Sequence, residues 1–267
     1  MEDINFNKGV AQTGTKGNDG FVWLPEFLES LPEDNIYRRV ISAGPGSHFS
    51  GYGDGYDAIP FLDHVRYVDL ADKMGEKLII GNYVCIGPDV TILMGGNQAH
   101  PLTAVSQHPL FHLDKGEWRN LKPAGNTIIE DDVWIGTDVM IMPGVKIGQG
   151  ARILPRAVVR EDVPPYALFG GVPGKVKRKR FNDQEIYMLM NKIRWTEWPE
   201  DVIREHVEDL LNLKPDFPKL VKIAEGLEAD GRLPVKMKCG NAIDAIVQKR
   251  KEAEFLKKQA INNARER

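Results

Sequence analysis

The residues IEDDVWIGTDVMIMPGVKIGQGARILPRAVV, positions 129–159, decide the fold. Ile129, Ile135, Ile141, Ile147, Ile153 and Val159 return every six residues, and Val133, Val139, Val145, Ala151 and Ala157 precede the later ones by two places. Gly136 and Gly148 directly follow the aliphatic residue, where a tight corner is expected. Upstream the same beat runs through Ile80, Ile86 and Ile92, with Val84 and Val90 in the small slot and Gly81 and Gly87 at the corner. A helix returns its apolar face every 3.6 residues and a simple strand every second residue, so a sustained period of six fits neither alone. It fits a coil of three short strands. Each six-residue unit makes one flat side, its aliphatic side chain fills the axis, and successive coils stack as parallel strands. Ordinary alternating strands would not place glycine after the same slot. A parallel β-helix, mainly β in class, is therefore expected.

Outward from this stretch the beat breaks at Gly95-Gly96 and resumes at Asn126 or Thr127. The intervening excursion, 95–126, has no repeat of its own, and a long excursion inside a compact stack is usually functional. It carries His100, His108 and His112. The segment VISAGPGSHFSGYGDGY, 40–56, reads as an irregular first coil or a loop lining a surface, and it contains His48 and Phe49. Residues 1–39 form an N-terminal extension with a short amphipathic piece, Leu24, Phe27, Leu28 and Leu31, closed by Pro32. The β-helix is expected over 40–174. Past it the chain turns basic at Lys175, Lys177, Arg178, Lys179 and Arg180. A helical segment over 175–215 follows, with Ile186, Leu189, Met190 and Ile193 at helical spacing behind Asn182 and Asp183 as caps. Pro199 opens a second helix with Val202, Ile203, Val207, Leu210 and Leu211 on one face. Residues 216–267 are a helical extension, mixed at first with one short helix.

Composition narrows the function. A formal charge of −3 over 267 residues argues against a general nucleic-acid binder. The two cysteines, Cys85 and Cys239, imply no disulfide framework and suit a reducing compartment. The start MEDINFNKG lacks the basic residues and apolar run of a secretion signal, and no apolar run reaches membrane-spanning length. A soluble, cytoplasmic protein is expected. Catalytic zinc needs three converging ligands, and the coils from Ile128 to Val159 contain no histidine or cysteine, so no metal is expected.

The string GGNQAHPLTAVSQHPLF, 95–111, resembles the active-site loop of the xenobiotic acetyltransferases, the hexapeptide family that includes chloramphenicol and streptogramin acetyltransferases. The phrases KPAGNTII, DVWIG, MPGVKIG, PYALFGGVPGKVKRKRF and IRWTEWP resemble that family's pattern in the same order, over roughly 40–212. The resemblance implies a left-handed parallel β-helix, acetyl-CoA as co-substrate, and a homotrimer with sites between neighbouring subunits. It also implies that His100 is the catalytic base and that a backbone N–H at Gly136-Thr137 receives the oxyanion. Coenzyme contacts carried over by alignment are Thr137, Pro155, Arg160, Gly171, Pro173, Gly174, Lys175 and Arg178. Asn97, His108, Phe49 and Trp134 are expected on the acceptor side, although His108, like His112, also reads as loop packing. Two departures are visible: Gly171-Val172-Pro173-Gly174 lacks the family's usual Asn, and Pro155-Arg156 replaces residues that are commonly small.

The chemistry of these residue types agrees. Acetylating an alcohol from a thioester requires the hydroxyl proton to leave as its oxygen attacks, and an imidazole with an ordinary pKa of about 6.5 can take it. Without its motif, a loop histidine reads as a surface or hydrogen-bonded structural residue. His48 and His64 read as structural, and His206 as solvated on the second helix. The basic run is either a solvated edge or a site for the coenzyme's phosphates. Trp134, beside the aliphatic slot, should point outward, to pack on a neighbouring subunit or wall a pocket. Two further readings stay open: transfer to a sugar or polysaccharide hydroxyl, and a non-catalytic β-helix that scaffolds or binds acyl-CoA.

Overall fold

The computed structural model describes residues 21–50, 61–98, 100, 104–106, 108 and 122–233, so His112 and the 241–265 tail lie outside the described residues. The chain divides into two compact units, 1–186 and 187–267.

The first unit is a prism with three sides. Strand β1 (Phe21–Trp23) and helices α1 (Leu24–Ser30) and α2 (Ile36–Val40) precede the first coil, which is β2 (Ile41–Ala43), β3 (His48–Ser50) and, after α3 (Phe61–His64), β4 (Val65–Arg66). Helix α4 (Val68–Met74) leads to the second coil, β5 (Leu78–Ile80), β6 (Cys85–Ile86) and β7 (Thr91–Leu93). The third coil is β8 (Thr127–Ile129), β9 (Trp134–Ile135) and β10 (Met140–Ile141); the fourth is β11 (Lys146–Ile147), β12 (Arg152–Ile153) and β13 (Val158–Val159). Side one stacks β2, β5, β8 and β11; side two stacks β3, β6, β9 and β12; side three stacks β4, β7, β10 and β13. All these neighbours pair in parallel. The parallel β-helix expected from the period of six is the architecture found.

Register explains why that period is apolar. Ala43, Ile80, Ile129 and Ile147 lie one above the next on side one. Phe49, Ile86, Ile135, Ile153 and Phe169 do so on side two, and Val65, Ile92, Ile141 and Val159 on side three. Ile129, Ile135, Ile141, Ile147, Ile153 and Val159 are all fully buried. Each such side chain contributes roughly 1.5–3 kcal/mol by leaving water.

The corners use two slots for different reasons. Where glycine directly follows the aliphatic residue, the next coil passes close by: a Cβ on Gly136 would sit 2.7 Å from the Pro155 nitrogen, and one on Gly148 2.5 Å from that of Pro165. The bend itself is made two residues later. Tyr83, Asp89, Gly95, Asp132, Asp138, Gly144, Gly150 and Arg156 all have positive φ, three places after the aliphatic residue.

Within the segment 40–56, residues 41–50 supply two sides of the first coil, β2 and β3, in register with the next, and 51–56 lie outside the described residues; β1 adds antiparallel to β3. At the other end β14 (Ala167–Gly170) pairs with β12, and β15 (Lys175–Lys179) turns back antiparallel to β14. Residues Lys175–Lys179 of the basic run thus form an exposed strand, not the opening of the helical segment expected over 175–215. Helix α5 (Asp183–Met188) begins with the expected cap: Asn182 Oδ1 accepts from the Glu185 N–H and Glu185 Oε2 from the Asn182 N–H.

In the second unit a π-helical turn (Leu189–Ile193) and a 3-10 turn (Trp195–Glu197) precede α6 (Glu200–Glu205), α7 (Val207–Leu210) and α8 (Phe217–Ala229). The helix expected from Pro199 breaks at His206, leaving Val207 and Leu211 exposed. Residues 217–229 form a longer helix than expected, capped by Asp216 on the Lys219 N–H, with Phe217, Leu220, Ala224 and Leu227 buried. Arg194 is buried and paired with Glu197 and Glu228. Among the described residues no helix is long and apolar enough to cross a membrane.

Candidate functional site

Both excursions leave the prism at the same edge, between sides three and one. Helix α4 fills that edge after the first coil, and the 94–126 loop departs there after the second. The neck of the loop is closed by its own polar groups. The Met94 N–H donates to the Arg66 carbonyl at 3.0 Å and the Asn97 N–H to the Lys122 carbonyl at 3.1 Å. Asn97 Oδ1 accepts from the Lys122 N–H at 2.8 Å, so this side chain, expected to meet the acceptor, clamps the two limbs together. The limbs run so close that a Cβ on Gly96 would lie 2.0 Å from the Lys122 oxygen. From this clamp the His100 N–H donates to the Asn97 carbonyl at 2.9 Å, and His100 stands exposed. His108 is exposed too.

A second constellation occupies the edge between sides two and three. Thr137 stands at this corner of the third coil, Pro155 at that of the fourth, and Gly171, Pro173 and Gly174 follow β14 at the next. They are coupled vertically. The Thr137 hydroxyl donates to the Pro88 carbonyl at 2.9 Å, and the Arg156 N–H donates to the Thr137 carbonyl at 3.0 Å. The Val158 N–H reaches the Gly171 carbonyl at 3.1 Å, and the Gly174 N–H reaches the Val158 carbonyl at 3.0 Å. Gly171 has φ +101°, and a Cβ on Gly174 would lie 2.2 Å from the Phe169 ring, so both positions require glycine. The Gly136 N–H donates to the Ile153 carbonyl at 2.9 Å and is committed to the stack. The Thr137 N–H has no acceptor among the described residues.

The basic side chains divide. Lys175 Nζ sits 2.8 Å from both Glu161 oxygens, and Arg180 turns inward, its Nη1 2.6 Å from the Gly150 carbonyl and its guanidinium beside the Tyr166 and Phe181 rings. Arg178 remains exposed at the strand surface. Arg160 stands on the other edge, in the turn after β13, and is not part of the corner column.

Trp134 points outward from side two as expected, 36% exposed, with the Arg152 guanidinium 4.5 Å from its ring centroid. Phe49 does not line a surface. Its ring fills the core, 2% exposed, against Phe61 and His64, because its register on side two points it to the axis. Burial lowers the His64 pKa, which suits a neutral ring in that wall. His48 lies between the Phe21 and Trp23 rings, and His206 meets the Asp209 carboxylate at 3.2 Å rather than standing solvated alone. Sequence reasoning passed over Asp132, whose pKa is pushed up to about 7, mainly by burial and further by Asp131, against the pull of Arg180. Among the described residues no group of three or more His, Cys, Asp or Glu is placed to hold a metal ion.

On a single chain the loop neck and the corner column therefore stand on different edges of the prism. Comparison with known proteins bears on what they do. Residues 126–161 match the family model "Bacterial transferase hexapeptide (six repeats)". A chloramphenicol acetyltransferase of Escherichia coli is 42% identical over 185 residues, spanning 67% of this chain and 86% of that protein. One from Agrobacterium fabrum is 40% identical, spanning 60% of this chain and 77% of its own length. A probable macrolide acetyltransferase of Lysinibacillus sphaericus is 37% identical over 56% of this chain and 84% of its own.

Proposed function

Because the chain belongs to the hexapeptide-repeat acetyltransferases that include chloramphenicol acetyltransferase, and is itself an acetyltransferase, we propose that it transfers acetyl from acetyl-CoA to a hydroxyl of a small, antibiotic-like acceptor. The observation that carries this reading is His100, held at the end of a clamped loop neck inside the motif that resembles the family's active-site loop. The imidazole takes the acceptor's hydroxyl proton as that oxygen attacks the thioester carbonyl. The carbonyl oxygen gathers negative charge, and the Thr137 N–H, which has no acceptor among the described residues, is the donor assigned to it in this reading. Collapse of this adduct breaks the carbon–sulfur bond, and the histidine's proton leaves with the thiolate as free coenzyme A. No covalent enzyme intermediate is needed, since both substrates meet at one site.

The corner column supplies the bed for the coenzyme arm: Thr137, Pro155, Gly171, Pro173 and Gly174 offer backbone that a slender chain can approach. Arg178, exposed on β15, faces the phosphates, while Lys175 contributes less because Glu161 already holds it. Asn97, His108 and Trp134 remain the acceptor side, Asn97 by shaping the neck.

The family resemblance implies a homotrimer, and the separation of the two constellations on one chain is compatible with a site shared between copies. A side of about six extended residues is at most roughly 20 Å long. A neighbouring copy presenting its column to this chain's loop edge would complete the site, and cyclic symmetry then repeats it. The enzyme acts in the cytoplasm, where acetyl-CoA and free thiols coexist, and its product would be an inactivated antibiotic.

The test is thiol release from acetyl-CoA with chloramphenicol, a streptogramin and several hexopyranosides as acceptors. His100→Ala is expected to lower kcat by about 10²–10⁴ while leaving acetyl-CoA binding intact. Unchanged turnover would remove His100 from the mechanism, and a preference for the hexopyranosides would move the enzyme to sugar acetylation.

A further inference from the structure

Glu76 is a carboxylate that the transfer chemistry does not use, yet it is only 2% exposed. A buried carboxylate is costly unless its oxygens are satisfied. Here they accept three backbone N–H groups: Oε2 from Gly95 at 3.1 Å, and Oε1 from Ala124 and from Gly125, the latter at 3.1 Å. Gly95 lies on the outgoing limb of the long loop, Ala124 and Gly125 on the returning one. One side chain thus fastens both limbs where they leave the prism.

Local sequence puts it there. Helix α4 ends at Gly75, whose φ of +69° closes a Schellman turn: the Gly75 N–H donates to the Asp72 carbonyl and the Glu76 N–H to the Ala71 carbonyl. The next residues enter β5, so Glu76 is fixed between a helix end and a coil strand. From its carboxylate a short chain of bonds runs to the histidine. Gly95, held by Oε2, accepts the Gln98 N–H at 2.9 Å, and the adjoining Asn97 carbonyl accepts that of His100 at 2.9 Å.

We propose that Glu76 is a positioning residue that sets the height and angle of His100 by locking both limbs of its loop. The inference rests on reading His100 as the base. Only a carboxylate serves, because all three partners are donors on both oxygens; a carboxamide would turn its own N–H₂ toward one limb.

The proposal is tested by a double-mutant cycle, comparing Glu76→Gln in the wild-type and His100→Ala backgrounds. In the wild type, kcat should fall about 10–100-fold, the scale expected when a reacting group moves by about an ångström, with KM for acetyl-CoA held within about twofold. In the His100→Ala background the same change should alter the residual rate by less than about twofold. An equal loss in both backgrounds, or no loss in the wild type, would overturn the positioning role while leaving His100 as base. Full activity of His100→Ala alone would instead sink the base assignment and the proposal with it. Hydrogen exchange on the unmutated protein gives an independent reading: the Gly95, Ala124 and Gly125 amides should exchange as slowly as those of the coil strands, and rapid exchange would overturn the proposal even if the variant fails to fold.

Discussion

The third and fourth coils and the first and second are built on the same ladder and used differently. From Thr127 to Val159 the chain winds without interruption, and every turn goes to side, corner, side. The first two coils each stop at the edge between sides three and one, where α4 and the long loop leave, and resume on side one in register. Inward residues do not notice. Val65, Ile92, Ile141 and Val159 stack across interrupted and uninterrupted turns alike. The difference teaches that an edge can be opened while the sides on either hand stay in register, because the apolar residues that fill the axis stand on the sides and not at the corners.

The sharpest way to break that contrast is to cut the same rung on each half. Ile92 and Ile141 are both fully buried and directly paired, one beside the loop and one in the uninterrupted coil. Ile92→Ala and Ile141→Ala are each expected to cost about 2–5 kcal/mol, equal within about 1 kcal/mol, as read by urea denaturation. A much cheaper Ile92→Ala would show that the loop loosens the ladder below it.

Two aspartates in the bend slot of the third coil provide the next contrast. Asp138 is exposed and paired with Arg156 at 3.2 Å, whereas burial pushes Asp132 up to about 7. A carboxyl raised above its unfolded value of about 4 stabilises the fold fully below that value, and this contribution is lost as pH rises through 7. Asp132→Asn should therefore leave stability unchanged near pH 4 and raise it by on the order of 2 kcal/mol at pH 8, the full shift being discounted for partial solvent access. Thermal melts at the two pH values check the sign. A variant less stable at pH 8 would mean that the charged form is held by Arg180 after all.

Much of this was legible in the sequence, and the parts that were not have specific causes. Aliphatic residues at Ile129 through Val159 announced the coil because each occupies the axis and admits no polar substitute. Phe49 was misplaced because the beat is faint in the first coil, where Ala43 and Phe49 replace isoleucines and glycines crowd the segment. Asn97 is expected on the acceptor side, and its oxygen accepts from the Lys122 N–H, a contact across the loop that linear spacing does not show. Glu76 carried no motif at all. Its partners are backbone groups 19, 48 and 49 positions away, and no side-chain pattern marks them. The residues expected by alignment along the coenzyme path, Arg160 apart, fall in one column because corners of successive coils share one edge.

Charge along β15 separates two cations. Arg178 is exposed, while Lys175 already meets a carboxylate. Arg178→Ala is expected to raise KM for acetyl-CoA about 5–10-fold with kcat unchanged, roughly 1–1.4 kcal/mol of phosphate attraction. Lys175→Ala should change it less than twofold in steady-state assays. Equal effects would mean that the Glu161 pair opens when coenzyme binds.

The smallest effect belongs to the bend slot itself, where Gly150 and Arg156 stand in successive turns with φ of +65° and +60°. A non-glycine residue in this region is strained by about 1–2 kcal/mol, while glycine gives back roughly 0.5–1 kcal/mol through the freedom of its unfolded chain. Arg156→Gly also loses the exposed pair with Asp138, which contributes little in water. The balance favours the variant by about 0.5 kcal/mol, a rise of roughly 1–2 °C in Tm. Gly150→Ala should go strongly the other way, because its Cβ would lie 2.3 Å from the Tyr166 ring in addition to the strained φ. If instead Arg156→Gly lowers Tm, the arginine is held at the corner by more than its ion pair, and the edge proposed for the coenzyme would be as tightly built as the sides.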